Sequence, residues 1–176
     1  MAAPYHNLRS KLNRAIAAYL IGAGAGTVDD TFPATSVKPK GYLNTTIKSQ
    51  IGRPEVPNTG IYRITVHVII RGSAVMENAE PNLESARLGF EDRLSTVCDA
   101  LMQSDGRGLK VTATAITAAG RALATGDDAA NNADMGDFTV TAWYDAGFGA
   151  GEADAEGTAW EEVLIFEAVC CAKNVD

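Results

Sequence analysis

From Ile61 to Arg71 apolar and polar positions alternate: Tyr62, Ile64, Val66, Val68 and Ile70 share one side, while Arg63, Thr65, His67 and Arg71 share the other. That pattern predicts a half-buried strand. Between Pro81 and Gln103 the period lengthens, and Leu83, Ala86, Phe90, Leu94, Val97 and Leu101 recur at spacings of three and four. A helix is expected there, opened near Pro81, closed by Asp105-Gly106, and lying across the apolar face of the strand. Tyr5 to Ile21 predicts another helix, with Leu8, Leu12, Ala15, Ile16, Tyr19 and Leu20 on one side and Gly22 as its C-cap.

Three further strands are expected. Leu109 to Thr117 sets Lys110, Thr112 and Thr114 against Val111, Ala113 and Ala115. Phe138 to Tyr144 sets Phe138, Val140, Ala142 and Tyr144 against Thr139, Thr141 and Trp143. Ala159 to Ala172 is apolar on both faces over Val163 to Phe166, as a central strand would be. The stretch from Gly22 to Gly60 carries Pro33, Pro39, Pro54 and Pro57 among Gly, Thr and Lys, and reads as a loop or extended arm with a short strand near Tyr42 to Ile51. Long loops in compact domains usually bind something, so this arm is expected to pack on a neighbour. Two acidic, small-residue loops fall at Thr125 to Gly136 and Ala146 to Thr158, within an acidic region spanning 125–158. The expected fold is α+β: one domain over residues 1–176, with a mostly antiparallel sheet flanked by two amphipathic helices.

Composition narrows the classes. A chain of 176 residues with 46% hydrophobic and 21% charged residues can bury a core without staples. Its longest apolar run, Val163 to Phe166 with Ala168 to Ala172 after Glu167, falls short of the ~20 residues a bilayer span needs, so no membrane role is expected. A formal charge of −7 opposes general nucleic-acid binding, which depends on Lys and Arg neutralising phosphates. The charge is unevenly spread: Asp127 to Glu162 holds many acids and no Lys or Arg, whereas the first 63 residues hold most of the bases. Such asymmetry suits subunits stacked head to tail, or an acidic surface past which DNA moves without sticking. The odd set Cys98, Cys170 and Cys171 argues against a disulfide framework and for a reducing cytoplasm.

Candidate chemistry is sparse. Gly22-Ala23-Gly24-Ala25-Gly26 follows a helix, where a dinucleotide loop must follow a strand, so a hinge is favoured. Asp127, Asp128, Asn131, Asn132, Asp134 and Asp137 supply oxygen ligands without the spacing of a calcium loop or a closing Glu. Cys170 and Cys171 point to opposite faces of a strand and cannot readily share a zinc ion with Cys98 and His67. His6 and His67 stand in no hydrolytic motif. No enzyme activity, cofactor or metal is expected. Trp143 lies on the threonine side of its strand, which suits an interface anchor and core packing equally.

The order of elements resembles the tail terminator (tail completion) proteins of long-tailed bacteriophages. An N-terminal amphipathic helix, a Pro-containing extended stretch, the strand Tyr62 to Arg71, the helix Leu83 to Met102 and a closing strand Trp160 to Ala172 carry the likeness. Its densest passages are Val66-His67-Val68-Ile69-Ile70-Arg71-Gly72-Ser73-Ala74, Leu83-Glu84-Ser85-Ala86 and Leu94-Ser95-Thr96-Val97-Cys98-Asp99-Ala100-Leu101. The resemblance implies a virion protein, assembled in the host cytoplasm, whose hexameric ring ends the tail tube and joins it to a head-tail connector or stopper protein. Partners would be its own copies, the tail tube protein and the connector, with DNA only as passing cargo. Arg63, His67, Arg71 and Trp143 are then the expected subunit-interface residues, and Asp127, Asp128, Asp134, Glu152, Asp154 and Glu156 the expected channel-facing ones. The segments at 22–60 and 125–158 exceed the family's plain pattern, leaving another neck or tail ring component, or a non-viral α+β binding module, as the alternatives.

Overall fold

The computed structural model describes residues 4–29, 43–56, 60–74, 76–77, 80–102, 109–148, 152–153 and 158–171. In chain order these form α1 (Pro4–Gly22), β1 (Val28–Asp29), β2 (Leu43–Val56), β3 (Ile61–Ser73), the short strands β4 (Met76–Glu77) and β5 (Glu80–Pro81), and α2 (Leu83–Leu101). Then follow α3 (Ala113–Leu123), a 3-10 turn at Ala133–Met135, β6 (Thr139–Phe148), β7 (Glu152–Ala153) and β8 (Ala159–Cys171). The main sheet runs β1-β2-β3-β8-β6, with β7 continuing beside β8, while β4 and β5 pair with each other. Among the described strands only the β1–β2 pairing is parallel. The fold is therefore α+β with a mostly antiparallel sheet.

β3 and β8 form its centre, paired without a break from Ile61 opposite Cys171 to Ser73 opposite Ala159. Directly opposed residues in antiparallel strands project to the same face, so Ile64, Val66 and Val68 share a face with Ala168, Phe166 and Leu164. These six are buried in one cluster with Leu8, Leu12, Ile16 and Leu20 of α1, Phe90, Val97 and Leu101 of α2, and Ile116 of α3. All three helices thus cover a single face of the sheet. Each large side chain enclosed there contributes roughly 1.5–3 kcal/mol relative to exposure. The expected stripe of α2 faces this core from Phe90 to Leu101; Leu94 packs against it half-buried, and Leu83 at the N-terminal end is 39% exposed.

Four expectations change. The region 109–117 is not a strand: Leu109 makes only an isolated bridge to Met102, and Ala113–Leu123 is helical. Thr112 caps that helix, its side chain accepting from the Ala115 N–H at 3.2 Å, and an alanine-rich run with Ile116, Gly120 and Leu123 on one side continues it. The sheet consequently has three helices rather than two. The segment 22–60 holds more strand than expected: the short strand placed near Tyr42 to Ile51 is there, but β2 runs on to Val56 along β3, and Val28–Asp29 pairs with β2; residues 30–42 and 57–59 lie outside the described ones. The left-handed residue ending α1 is Gly24 (φ 88°), not Gly22, since the Ala25 N–H bonds the Leu20 carbonyl and the Gly24 N–H bonds that of Ile21.

Candidate subunit interface

The second face of the sheet carries no helix among the described residues. Opposite Arg71 stand Asn44 and Glu161, opposite Ile69 stand Thr46 and Val163, and opposite His67 stand Lys48 and Ile165. Bases therefore line the β2–β3 half of this face, at Lys48, Arg63 and Arg71, while acids sit on β8 at Glu161 and Glu167. Arg63 donates to Glu167 at 2.9 Å, and Arg71 is ion-paired with Glu161. Tyr144 of β6, 48% exposed, adds an aromatic ring whose centroid lies 5.8 Å from the Arg63 guanidinium carbon. Ile69 and Val169 are buried on this face, whereas Val163 and Ile165 are half-buried. The expected interface residues Arg63, His67 and Arg71 are thus brought together on one surface.

Trp143 is not part of it. A bulge between Val140 and Ala142 lets Ala142 pair with Val169, which turns Trp143 toward Ala168 and the core. Its ring stacks on Phe166, and it is 7% exposed. The expected anchor is a core residue, and the same slip brings Tyr144 out to the open face.

The outer edge of β6 is closed at its start. Thr117 of α3 accepts from the Val140 N–H at 2.9 Å and donates to the Val140 carbonyl, and Arg121 donates to the Phe138 carbonyl at 2.9 Å. A helix placed over an edge in this way blocks strand addition there, which leaves the faces as the broader contact surfaces.

The expected channel-facing acids do not form one group. Asp127 and Asp128 are exposed in the turns after α3. Asp134, nearby, is held to α1 by Arg14, with contacts of 2.7 and 3.2 Å, while Arg14 also donates to Asn132 at 2.9 Å. The hydrogen bonds from Arg14 hold the Asp134 carboxyl below its ordinary pKa. Glu152 belongs to β7, opposite Glu161. Since β6 begins opposite Cys171, the two places are at opposite ends of β8, roughly 30 Å apart at ~3.3 Å per residue. Asp154 and Glu156 lie outside the described residues.

Among the described residues no three His, Cys, Asp or Glu side chains converge as metal ligands, and no helix is long and apolar enough to cross a membrane. The cysteines are free thiols; burial pushes Cys170 up to about 12 and also raises Cys98, so neither is a ready nucleophile. The depression of about 820 Å³ over the first turns of α2 is lined by Leu83, Glu84, Ser85, Leu88 and Asp92, with no base or nucleophile pair.

One surface escaped the sequence pattern. Leu88 of α2 is 53% exposed on the side of the helix away from Phe90, Val97 and Leu101. Its signal was present: Leu88 falls off the stripe of three-and-four spacings, and its helical neighbours three and four residues away are Glu84, Ser85, Glu91 and Asp92. No protein-family model matches the chain, and no curated protein matches it in sequence.

Proposed function

We propose that this chain is a structural virion protein, a ring-forming subunit that ends the tail tube of a long-tailed bacteriophage and joins it to the head connector. The observation that carries this reading is the one-sided sheet. Three helices cover one face, and the other presents Arg63, His67 and Arg71 beside Glu161, Glu167 and Tyr144 without a covering helix among the described residues. A face that mixes ion pairs, half-exposed Ile165 and Val163, and an exposed aromatic suits contact with another protein more than contact with bulk water. The element order, from α1 through the paired long strands to α2 and the closing β8, adds the resemblance to tail terminators. The missing reactive cluster among the described residues fits a protein that works by assembling.

Light scattering and negative-stain imaging of the purified chain test this reading. Closed rings of about six subunits with an open centre are expected, and mixing with polymerising tail tube protein should yield capped tubes that stop growing. A protein that stays monomeric at every concentration, or tubes that elongate past it unchanged, overturns the proposal.

A further inference from the structure

Leu43, Leu83 and Leu88, all large and exposed, meet at the N-terminal half of α2. Leu83 and Leu88 border the depression over the first turns of the helix, and a second depression of about 420 Å³ runs from Leu83 to Trp160. Leu43 reaches the same place from the start of β2, its Cδ2 lying 3.9 Å from where a Gly89 Cβ would stand. An apolar strip therefore runs from Leu43 past Gly89, Leu88 and Leu83 to Trp160. Exposed strips of this kind, rimmed by polar groups, mark contact sites.

Gly89 gives the strip its shape. It lies inside α2, where glycine is a poorer helix former than any residue but proline. Packing within the described subunit does not call for it, because the Leu43 atom at 3.9 Å is in ordinary contact and no other described neighbour lies within 4 Å of the Cβ position. The glycine leaves a notch of bare backbone between Leu88 and Leu43.

The rim is acidic. Glu84, Ser85, Glu91 and Asp92, three and four residues from Leu88, are all exposed, and no described base borders the larger depression. A second copy of the chain matches this rim poorly. Its Arg14, Arg63 and Arg71 are paired with Asp134, Glu167 and Glu161, while Arg93 and Arg121 donate to backbone carbonyls of their own subunit. The chain also carries a formal charge of −7, so copy meets copy with the same sign. The complementary cations come from a different protein.

We propose that this strip docks the tail tube protein, through a segment that seats an apolar side chain in the Gly89 notch and sets lysine or arginine beside Glu84 and Asp92. The inference rests on the ring reading and names the surface that stops the tube. It also separates two tasks, since the strip lies on the helical side of the sheet, away from the open face where copies meet.

Three variants of the full chain test it: Leu88→Asp, Gly89→Gln, and Glu84→Gln with Asp92→Asn. Gly89→Gln fills the notch with a better helix former, so its circular dichroism melting should be unchanged or raised, and lost docking in that variant does not come from a damaged fold. Each variant should form rings as wild type does. Leu88→Asp and Gly89→Gln should need about tenfold more protein to stop tube growth in negative-stain images, as for side chains at the centre of a contact. In the doubly neutralised variant, capping should lose the salt dependence that wild type shows. Variants that cap at the wild-type concentration overturn the inference and leave the ring reading intact. Variants that no longer form rings make the strip a contact between copies and overturn it as well. Wild-type rings that leave tube growth unchanged, or a wild-type monomer, overturn both.

Discussion

The Trp143 indole stacks on Phe166 with ring centroids 4.9 Å apart and planes inclined by 20°. This contact closes the β6 side of the core, and it exists because one extra residue in β6 reverses the alternation after Val140. Offset stacking adds about 0.5–1.5 kcal/mol to the burial of such a pair. The Trp143 Nε1 has no hydrogen-bond partner, so the residue is held by shape and apolar contact.

Trp143→Ala is therefore expected to destabilise the subunit by about 3–5 kcal/mol in denaturant unfolding. Trp143→Phe keeps a ring against Phe166 and removes the unpartnered donor, and it should lose clearly less. An interface role would give the reverse result, with subunit stability unchanged and assembly lost.

Gly120 lies where α3 packs tightly against α1. A Cβ placed there would lie 2.8 Å from the Ala15 Cβ, 3.0 Å from a Phe138 ring carbon and 3.1 Å from the Met135 methyl. Within a helix, alanine ordinarily gains about 1 kcal/mol over glycine. Here the Ala15 Cβ is fixed to backbone and cannot swing aside, so overpacking should win. Gly120→Ala is expected to cost about 1–3 kcal/mol in thermal or chemical unfolding; stabilisation would show that α1 and α3 separate without penalty.

Strand β3, strand β8 and helix α2 were legible because each carries a long run of large apolar residues at one period, as in Ile64-Val66-Val68-Ile70 and Phe90-Leu94-Val97-Leu101. Helix α3 was obscured by side-chain size. Ala113 and Ala115 alternate with threonines as a weak strand would, yet alanine favours helix and Thr112 favours its N-cap. Strand β2 was seen only in part because Pro54 and the polar Asn44, Thr45, Thr46, Lys48 and Ser49 dilute its pattern. Ser49 and Thr45 nonetheless face inward, Ser49 donating to Asn13 of α1 at 2.7 Å. The shared face of Arg63, His67 and Arg71 was legible from their parity on one strand. The face of Trp143 was not legible, because a bulge changes parity without altering composition.

The Arg14–Asp134 pair should impose a pH dependence on the packing of α1 against the turn at Ala133–Met135. Arg14 lowers the Asp134 pKa in the folded state, so the folded protein holds this proton less tightly than the unfolded chain does. Its stabilising contribution is then fully present above the ordinary Asp value of about 3.9 and is lost as pH falls through the lower folded value. Asp134→Asn should flatten that acid limb of the stability profile. Because the Asp134 side chain is 44% exposed, the effect near neutral pH should be slight. Identical acid unfolding of both proteins would show that Arg14 does not hold the carboxylate.

Asp127 and Asp128 test the channel assignment independently of Asp134, whose carboxylate is already engaged. Both are exposed in the turns between α3 and β6, away from Glu152 at the other end of β8. If the α3–β6 end faces the passing duplex, Asp127→Lys with Asp128→Lys on every subunit presents a ring of cations to phosphates. Counterion release then adds affinity that falls steeply as salt rises. The substituted rings are expected to retain duplex DNA at low salt and release it at high salt, as read by co-sedimentation, while wild-type rings bind none. Rings of unchanged size that ignore DNA at every salt concentration would put this end of the subunit on the outer wall, where the acids act only to keep the assembly soluble.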